Sequence, residues 1–206
     1  MGARHEITTV DALEAIYGAP RPQSLLKEVE KLTPEYKAWI DASPFVVLAS
    51  VGAGGLDCTP RGDAAGIVEV VDERTLLLPD RVGNNRIDTL RNLVADPRVA
   101  LLFLIPGREE SIRVIGRAVI SADPGLVDRC SVDGKRPRTV LVISIERVFF
   151  QCARALKRSR LWMLAQDGHA PALPSIGQIL QSISKGVFDG AAYDDELQER
   201  LNKSLY

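Results

Sequence analysis

The sequence predicts a mainly β fold, an antiparallel barrel with helices at both ends, and three observations carry that expectation. Apolar runs of strand length recur between Phe45 and Phe150, among them "FVVLASV" (45–51), "TLLLP" (75–79), "RVALLFLI" (98–105) and "TVLVISIERVFF" (139–150). Turn-forming stretches such as "GAGG" and "PGREE" separate them. One amphipathic helical pattern lies among the strands at 84–96, which suits a barrel better than a sandwich or a parallel α/β sheet.

The first 43 residues read as helical. Thr8 or Thr9 caps "VDALEAIY" and Gly18 stops it. "QSLLKEVEKL" continues with apolar residues at helical spacing. Thr33-Pro34 then starts a short helix bearing Tyr36, Trp39 and Ile40, because Thr caps and Pro suits the first turn. From Phe45 the pattern changes to strands: "FVVLASV", then "LDCTPRGDAAG" beyond the turn, then "IVEVV" and "TLLLP" around "DER". "SIRVIGRAVIS" (111–121) has two unlike faces, Asp123-Pro124 opens a short helix through Cys130, and 139–150 is a long strand. Two helices, "PSIGQILQSISKG" and "DDELQERLNKSL", end the chain, with Gly186 stopping the first. The 206 residues, 46% hydrophobic and without repeats or linker, make one domain. Its parts are a helical extension (1–43), a barrel core (44–162) and a second helical extension (163–206).

Composition removes several functions. A formal net charge of −1 gives no general reason to expect nucleic acid or an anionic membrane as partner. The longest apolar runs are too short to span a bilayer, and the N-terminus lacks the apolar core of a signal peptide. Cys58, Cys130 and Cys152 are odd in number and widely spaced, as fits reduced thiols in a cytoplasm. His5 and His169 belong to no HxH or HExxH pattern, so no metal site is expected. No GxSxG elbow accompanies them either. An enzyme so short of catalytic histidines would leave the difficult chemistry to a bound cofactor.

One stretch departs from this generic picture. In "LPDRVGNNRIDTLRNL" (78–93), Ile87, Leu90, Leu93 and Val94 fall on one face of a helix that Asp96-Pro97 closes. Asn84 or Asn85 is the natural N-cap, which puts Arg86 in the first turn, against the positive end of the helix dipole. A bound phosphate would reverse that sign, with free N–H groups, amide side chains and guanidinium all aimed at one anion. Asn also caps helices with no ligand present, and a surface Arg can turn to solvent, so the corner alone leaves both readings open. "TPRGDAAG" (59–66) adds a basic residue, an acidic residue and two glycines that permit close approach to a flat ligand; an ordinary turn would look the same. Arg61-Gly62-Asp63 is a chance match to an integrin-binding tripeptide.

Taken in order, these segments resemble the pyridoxamine 5′-phosphate oxidase-like flavoproteins, over about residues 40–162. The likeness is clearest in "LLLPDRVGNNRIDTLRNLVADPRVALLF" followed by "SIRVIGRAVI". A subfamily of FMN-dependent proteins is nearer still, through "PRGD" (60–63), "LPDR" (78–81), "GNNR" (83–86), "IRVIGRA" (112–118) and "CARALKRSRLW" (152–162). The resemblance implies a split β-barrel of antiparallel Greek-key type and a homodimer with FMN at the subunit interface. It implies that Asn84, Asn85 and Arg86 contact the FMN phosphate, with help from Arg61. It also implies that Gly62, Asp63 and Ala64, with Leu78, Pro79 and Asp80, line the isoalloxazine and ribityl chain. Ser111, Arg113, Arg158 and Ser159 are the residues expected to reach a partner's site, and Arg113 or Arg158 the cation near the flavin N1 edge. The Arg-x-His pair that ends the namesake oxidase is missing here: Asp167 stands two residues before His169. The resemblance thus implies an FMN-dependent oxidoreductase acting on a small molecule, not a vitamin-B6 oxidase. A split barrel binding deazaflavin F420 or haem, and an FMN carrier or sensor without turnover, remain open beside it.

Overall fold

The computed structural model describes residues 5–166, 168 and 171–205; His169 and Asp167 lie outside the described residues. Seven strands form one antiparallel sheet: β1 (Phe45–Gly52), β2 (Gly55–Gly62), β3 (Glu69–Val70), β4 (Thr75–Asp80), β5 (Arg98–Leu104), β6 (Ser111–Ser121) and β7 (Thr139–Gln151). Their order is β2-β1-β5-β6-β7-β4-β3. The sheet does not close, because β2 and β3 remain edges, and the architecture is a split β-barrel with flanking helices.

The long β6–β7 hairpin joins the two halves. The first part of β6 pairs with β5 (Phe103 opposite Ile112), while β7 pairs with β6 along its length and with β4 over Thr139–Ser144. Alternation decides what each strand buries. Val46, Leu48, Leu101, Phe103, Ile112 and Val114 point into the main core with little or no exposure. Strand β4 is covered on both faces: Leu76 and Leu78 join the main core, while Leu77 meets Val127, Cys130 and Val140 on the other side. Burial on two sides explains why "TLLLP" is apolar without alternating. A register shift falls between Ile115 and Gly116. A Cβ at Gly116 would stand 2.1 Å from the Ser144 carbonyl oxygen, so only glycine fits that close approach.

Helices α1 (Val10–Tyr17), α3 (Pro34–Asp41) and α5 (Pro124–Arg129) begin at caps expected from the sequence. The side chains of Thr9, Thr33 and Asp123 accept from the N–H of Ala12, Tyr36 and Leu126. Helix α2 (Pro22–Leu26) is far shorter than the spacing of "QSLLKEVEKL" suggests. Val29 instead exchanges two hydrogen bonds with Val148, of 3.1 and 2.8 Å, and Leu32 N–H donates to the Glu73 carbonyl. Pairing along the barrel wins over helical periodicity there. "IVEVV" likewise yields only the two-residue β3, its Ile67 and Val68 being buried outside a ladder.

The largest departure concerns the helix after the asparagines. Helix α4 (Asp88–Ala95) starts at Asp88; its N-cap position is Ile87, in the left-handed region at φ +53° and without a side-chain cap bond. Neither Asn84 nor Asn85 caps it, and Arg86 lies in the preceding loop, not in the first turn. Asp88 fills the acidic first-turn position that the dipole favours. After β7 come α6 (Arg154–Ser159) and α7 (Leu161–Gln166), then α8 (Ile176–Ile183) with a Ser175–Gln178 capping box. Helix α9 (Gly190–Lys203) is capped by Asp189 and so begins earlier than "DDELQERLNKSL". No helix among the described residues is long and apolar enough to cross a membrane.

Candidate functional site

Edge strand β2, the end of β4, the 81–87 loop and the start of α4 surround a cavity of about 1070 Å3. Helix α4 is held to β1 and β2 by side-chain bonds. Thr89 Oγ1 donates to Asp57 Oδ2 at 3.1 Å, and Asn92 Nδ2 to Ser50 Oγ at 3.0 Å. The loop is anchored from below: Arg81 Nε donates to Asp63 Oδ2 at 2.8 Å, and Arg81 Nη1 to the Cys130 carbonyl at 2.8 Å. Within the loop the Arg86 N–H donates to Asn84 Oδ1 at 3.0 Å. Asn85 and Ile87 both hold positive φ, at +58° and +53°. For a β-branched residue that conformation is strained, and such strain concentrates where a backbone is shaped around a ligand.

The cavity gathers Arg61, Gly62, Pro79, Asp80, Asn84, Asn85 and Arg86 from the expected residues. The others sit elsewhere in this chain. Leu78 is core; the Asp63 carboxylate is buried against Arg81 and also accepts the Ala64 N–H at 2.8 Å. The Asp63 N–H donates to the Pro44 carbonyl at 3.1 Å, so that donor is taken within the fold. Ser111 is buried at the start of β6, and the Arg113 guanidinium lies 5.0 Å from the Phe149 ring centroid. Arg158 and Ser159 belong to α6, where Ser159 Oγ donates to the Leu156 carbonyl. That segment packs on the β5–β6 loop through Trp162 Nε1 to the Arg108 carbonyl, 2.6 Å, and Lys157 to Glu109, 3.1 Å.

Residues not foreseen complete the cavity. Arg138, just before β7, donates to Asn85 Oδ1 at 3.1 Å. Thr139 stands opposite Asp80 across the β4–β7 ladder; its Oγ1 is buried without a hydrogen-bond partner. Cys58 on β2 and Tyr193, Leu197, Arg200 and Leu201 of α9 also face it. Arg138 was findable only through the register that sets Thr139 beside Asp80. The α9 residues were findable only as a helical stripe without a known partner.

Charge on the walls is mixed but leans positive: five arginines (61, 81, 86, 138, 200) against three aspartates (57, 80, 88). Arg61 Nη2 lies 3.9 Å from Asp80 Oδ1, and its Nη1 donates to Thr59 Oγ1 at 2.9 Å. Burial pushes the Asp80 carboxyl above the usual carboxylate range, against the pull of Arg61 and Arg138. Arg86 Nε is 2.7 Å from Asp88 Oδ2 in an exposed pair. Among the described residues no group of three or more His, Cys, Asp or Glu side chains converges to hold a metal ion. What remains is a basic, amide-rich mouth beside a sheet edge, whose donors suit an anion such as a phosphate.

A comparison with curated proteins gives no match. Among solved structures, the chain is similar to HupZ of Group A Streptococcus, at 22% identity over 58% of this chain and 93% of that one, with a TM-score of 0.47. It is also similar to a Clostridium acetobutylicum protein related to general stress protein 26, at 15% identity over 57% and 85%, TM-score 0.45. A Mesorhizobium loti FAD-binding protein gives 18% identity over 58% and 93%, TM-score 0.41. The family model described as pyridoxamine 5′-phosphate oxidase matches residues 32–152, more than half of the chain and the whole of the sheet with its connections. By that match the chain belongs to the pyridoxamine 5′-phosphate oxidase family.

Proposed function

We propose that this protein is an FMN-binding flavoprotein, an FMN-dependent oxidoreductase of a small molecule, working as a homodimer in the cytoplasm. The observation that carries this reading is the cavity in which "PRGD", "LPDR" and "GNNR" meet, with Arg61, Arg86 and Arg138 around it. Family membership supports the flavin, and the strained Asn85–Ile87 turn supports a ligand-shaped loop.

The residues divide the task by chemistry. Asn84 and Asn85 side chains and Arg86 hold the phosphate, and Arg61 neutralises it from β2. Arg138 keeps the Asn85 amide turned, because its guanidinium already donates to the amide oxygen. Gly62 and Pro79 offer flat walls without long side chains. When bound, FMN supplies hydride acceptance at N5 and passes electrons on. Ser111, Arg113, Arg158 and Ser159 lie outside this cavity, and in the proposed homodimer they complete that of the other protomer.

The test is the absorbance spectrum and mass of whatever co-purifies with the native protein, followed by titration with FMN and competition by deazaflavin F420. A flavin spectrum, FMN by mass and displacement of F420 are expected. A colourless protein with no FMN affinity after reconstitution overturns the reading.

A further inference from the structure

Helix α9 is an unusual wall for a site built on a barrel. Tyr193, Leu197, Arg200, Leu201 and Ser204 follow one another at helical spacing and all face the cavity. The helix packs chiefly on α8, in a hairpin built for close approach. A Cβ at Gly177 would stand 2.0 Å from the Gly190 carbonyl oxygen, and one at Gly190 2.3 Å from that of Gly177. Asp194 locks the pair, its Oδ1 accepting the Gly177 N–H at 2.8 Å while its other oxygen accepts from Ser175 Oγ. The hairpin therefore holds its own shape, and its α9 residues line one side of the cavity.

That face has a definite chemistry. The Arg200 guanidinium carbon lies 4.3 Å from the Tyr193 ring centroid, and Phe188 meets the same ring edge-on at 5.6 Å. Stacking holds the guanidinium in place and leaves its N–H edges free to hydrogen-bond. The only ion pair described for it is to Glu196, at 4.0 Å and well exposed, a contact too loose to occupy the charge. Leu197 and Leu201 provide an apolar surface on either side. The cavity, about 1070 Å3, lies at the upper end of the roughly 300–1,000 Å3 of ordinary small-molecule sites.

We propose that the α9 side of the cavity is a second subsite that binds a small aromatic carboxylate, its carboxylate on Arg200 and its ring against Tyr193, Leu197 and Leu201. A guanidinium fork suits a carboxylate, and an apolar wall suits the ring behind it. The placement beside a flavin rests on the function proposed above; the anion site itself does not.

Benzoate is the probe. Titrated into the FMN-loaded full-length protein, it perturbs the flavin spectrum with a saturable affinity, and calorimetry reads the same binding without relying on the flavin. Arg200→Ala weakens benzoate about tenfold or more, and Tyr193→Leu weakens it less, while FMN affinity stays within about twofold. Lys203→Ala, on the same helix but outside the cavity lining, leaves benzoate unchanged. Equal benzoate affinity in wild type and Arg200→Ala overturns the subsite, as does equal weakening by Lys203→Ala. A parallel fall in FMN affinity overturns it too, by moving Arg200 to the cofactor. If the protein binds no FMN but calorimetry still shows Arg200-dependent benzoate binding, the subsite stands and only the flavin reading fails.

Discussion

Arg81 Nε donates to Asp63 Oδ2 at 2.8 Å from inside the protein, the two side chains being 17% and 5% exposed. The bond joins the last residue of "PRGD" to the last residue of "LPDR", so two segments far apart in the chain are fixed relative to each other beneath the cavity. Asp63→Ala leaves the Arg81 charge buried beside Cys130 and lowers stability by about 3–5 kcal/mol. Combining it with Arg81→Ala gives a coupling of about 0.5–3 kcal/mol in urea denaturation. Strict additivity of the two substitutions would mean that they do not act as a pair.

Much of this arrangement was legible beforehand, for local reasons. Thr9, Thr33 and Asp123 cap helices because a short polar side chain before a helical run satisfies backbone donors wherever it occurs. "FVVLASV" and "RVALLFLI" became β1 and β5 because runs of that length and composition fit a buried sheet. The misreadings came where distant pairing decides. Val29 leaves its helical pattern because Val148 offers an open ladder position. Ile87 takes a left-handed conformation that a sequence would not suggest for a β-branched residue, which shifts the helix start to Asp88. The cavity was half visible: its motif residues were named, but Arg138 and the α9 face required knowing what lies opposite what.

The exposed Arg86–Asp88 pair, 2.7 Å apart, sets up an exchange of partners. Such pairs are worth about 0–1 kcal/mol, so a phosphate can take the guanidinium at little cost. Asp88 would also repel a phosphate bound there. Asp88→Asn therefore tightens FMN by about 2- to 5-fold while costing about 0.3–1 kcal/mol of stability through the helix dipole. Fluorescence titration and urea denaturation read the two effects separately. A weaker FMN affinity in Asp88→Asn would remove Arg86 from the phosphate site.

Asp80 gives the protein a pH signature of unusual sign. Its carboxyl is raised above 3.8, first by burial, with Arg61 and Arg138 opposing. A folded pKa above the unfolded one means that the group favours folding below the unfolded pKa, and that this contribution is lost as pH rises through the folded value. Asp96 runs the other way: hydrogen bonds from Arg98 hold its carboxyl at about 2, so its contribution is present above 3.8 and lost as pH falls toward that lower value. Asp80→Asn should match wild type in strong acid and become relatively more stable as pH rises toward neutrality. Melting temperatures across the acid-to-neutral range check this. A deficit that grows with pH would show that attraction to the arginines outweighs the burial of the charge.

The three cysteines supply a footprint of the cavity. Cys130 is buried and its thiol pKa is raised by that burial, so it should resist alkylation. Cys152 is exposed, and the Arg154 backbone N–H lowers its thiol pKa, which favours the reactive thiolate. Cys58 is exposed as well, but it faces the cavity from β2. Iodoacetamide labelling followed by mass spectrometry should modify Cys152 fastest and Cys130 slowest. Saturating FMN should then slow Cys58 several-fold and leave Cys130, which is buried and outside the cavity lining, as slow as before. Unchanged labelling of Cys58 at saturating FMN would set aside the cavity between β2, the 81–87 loop and α9.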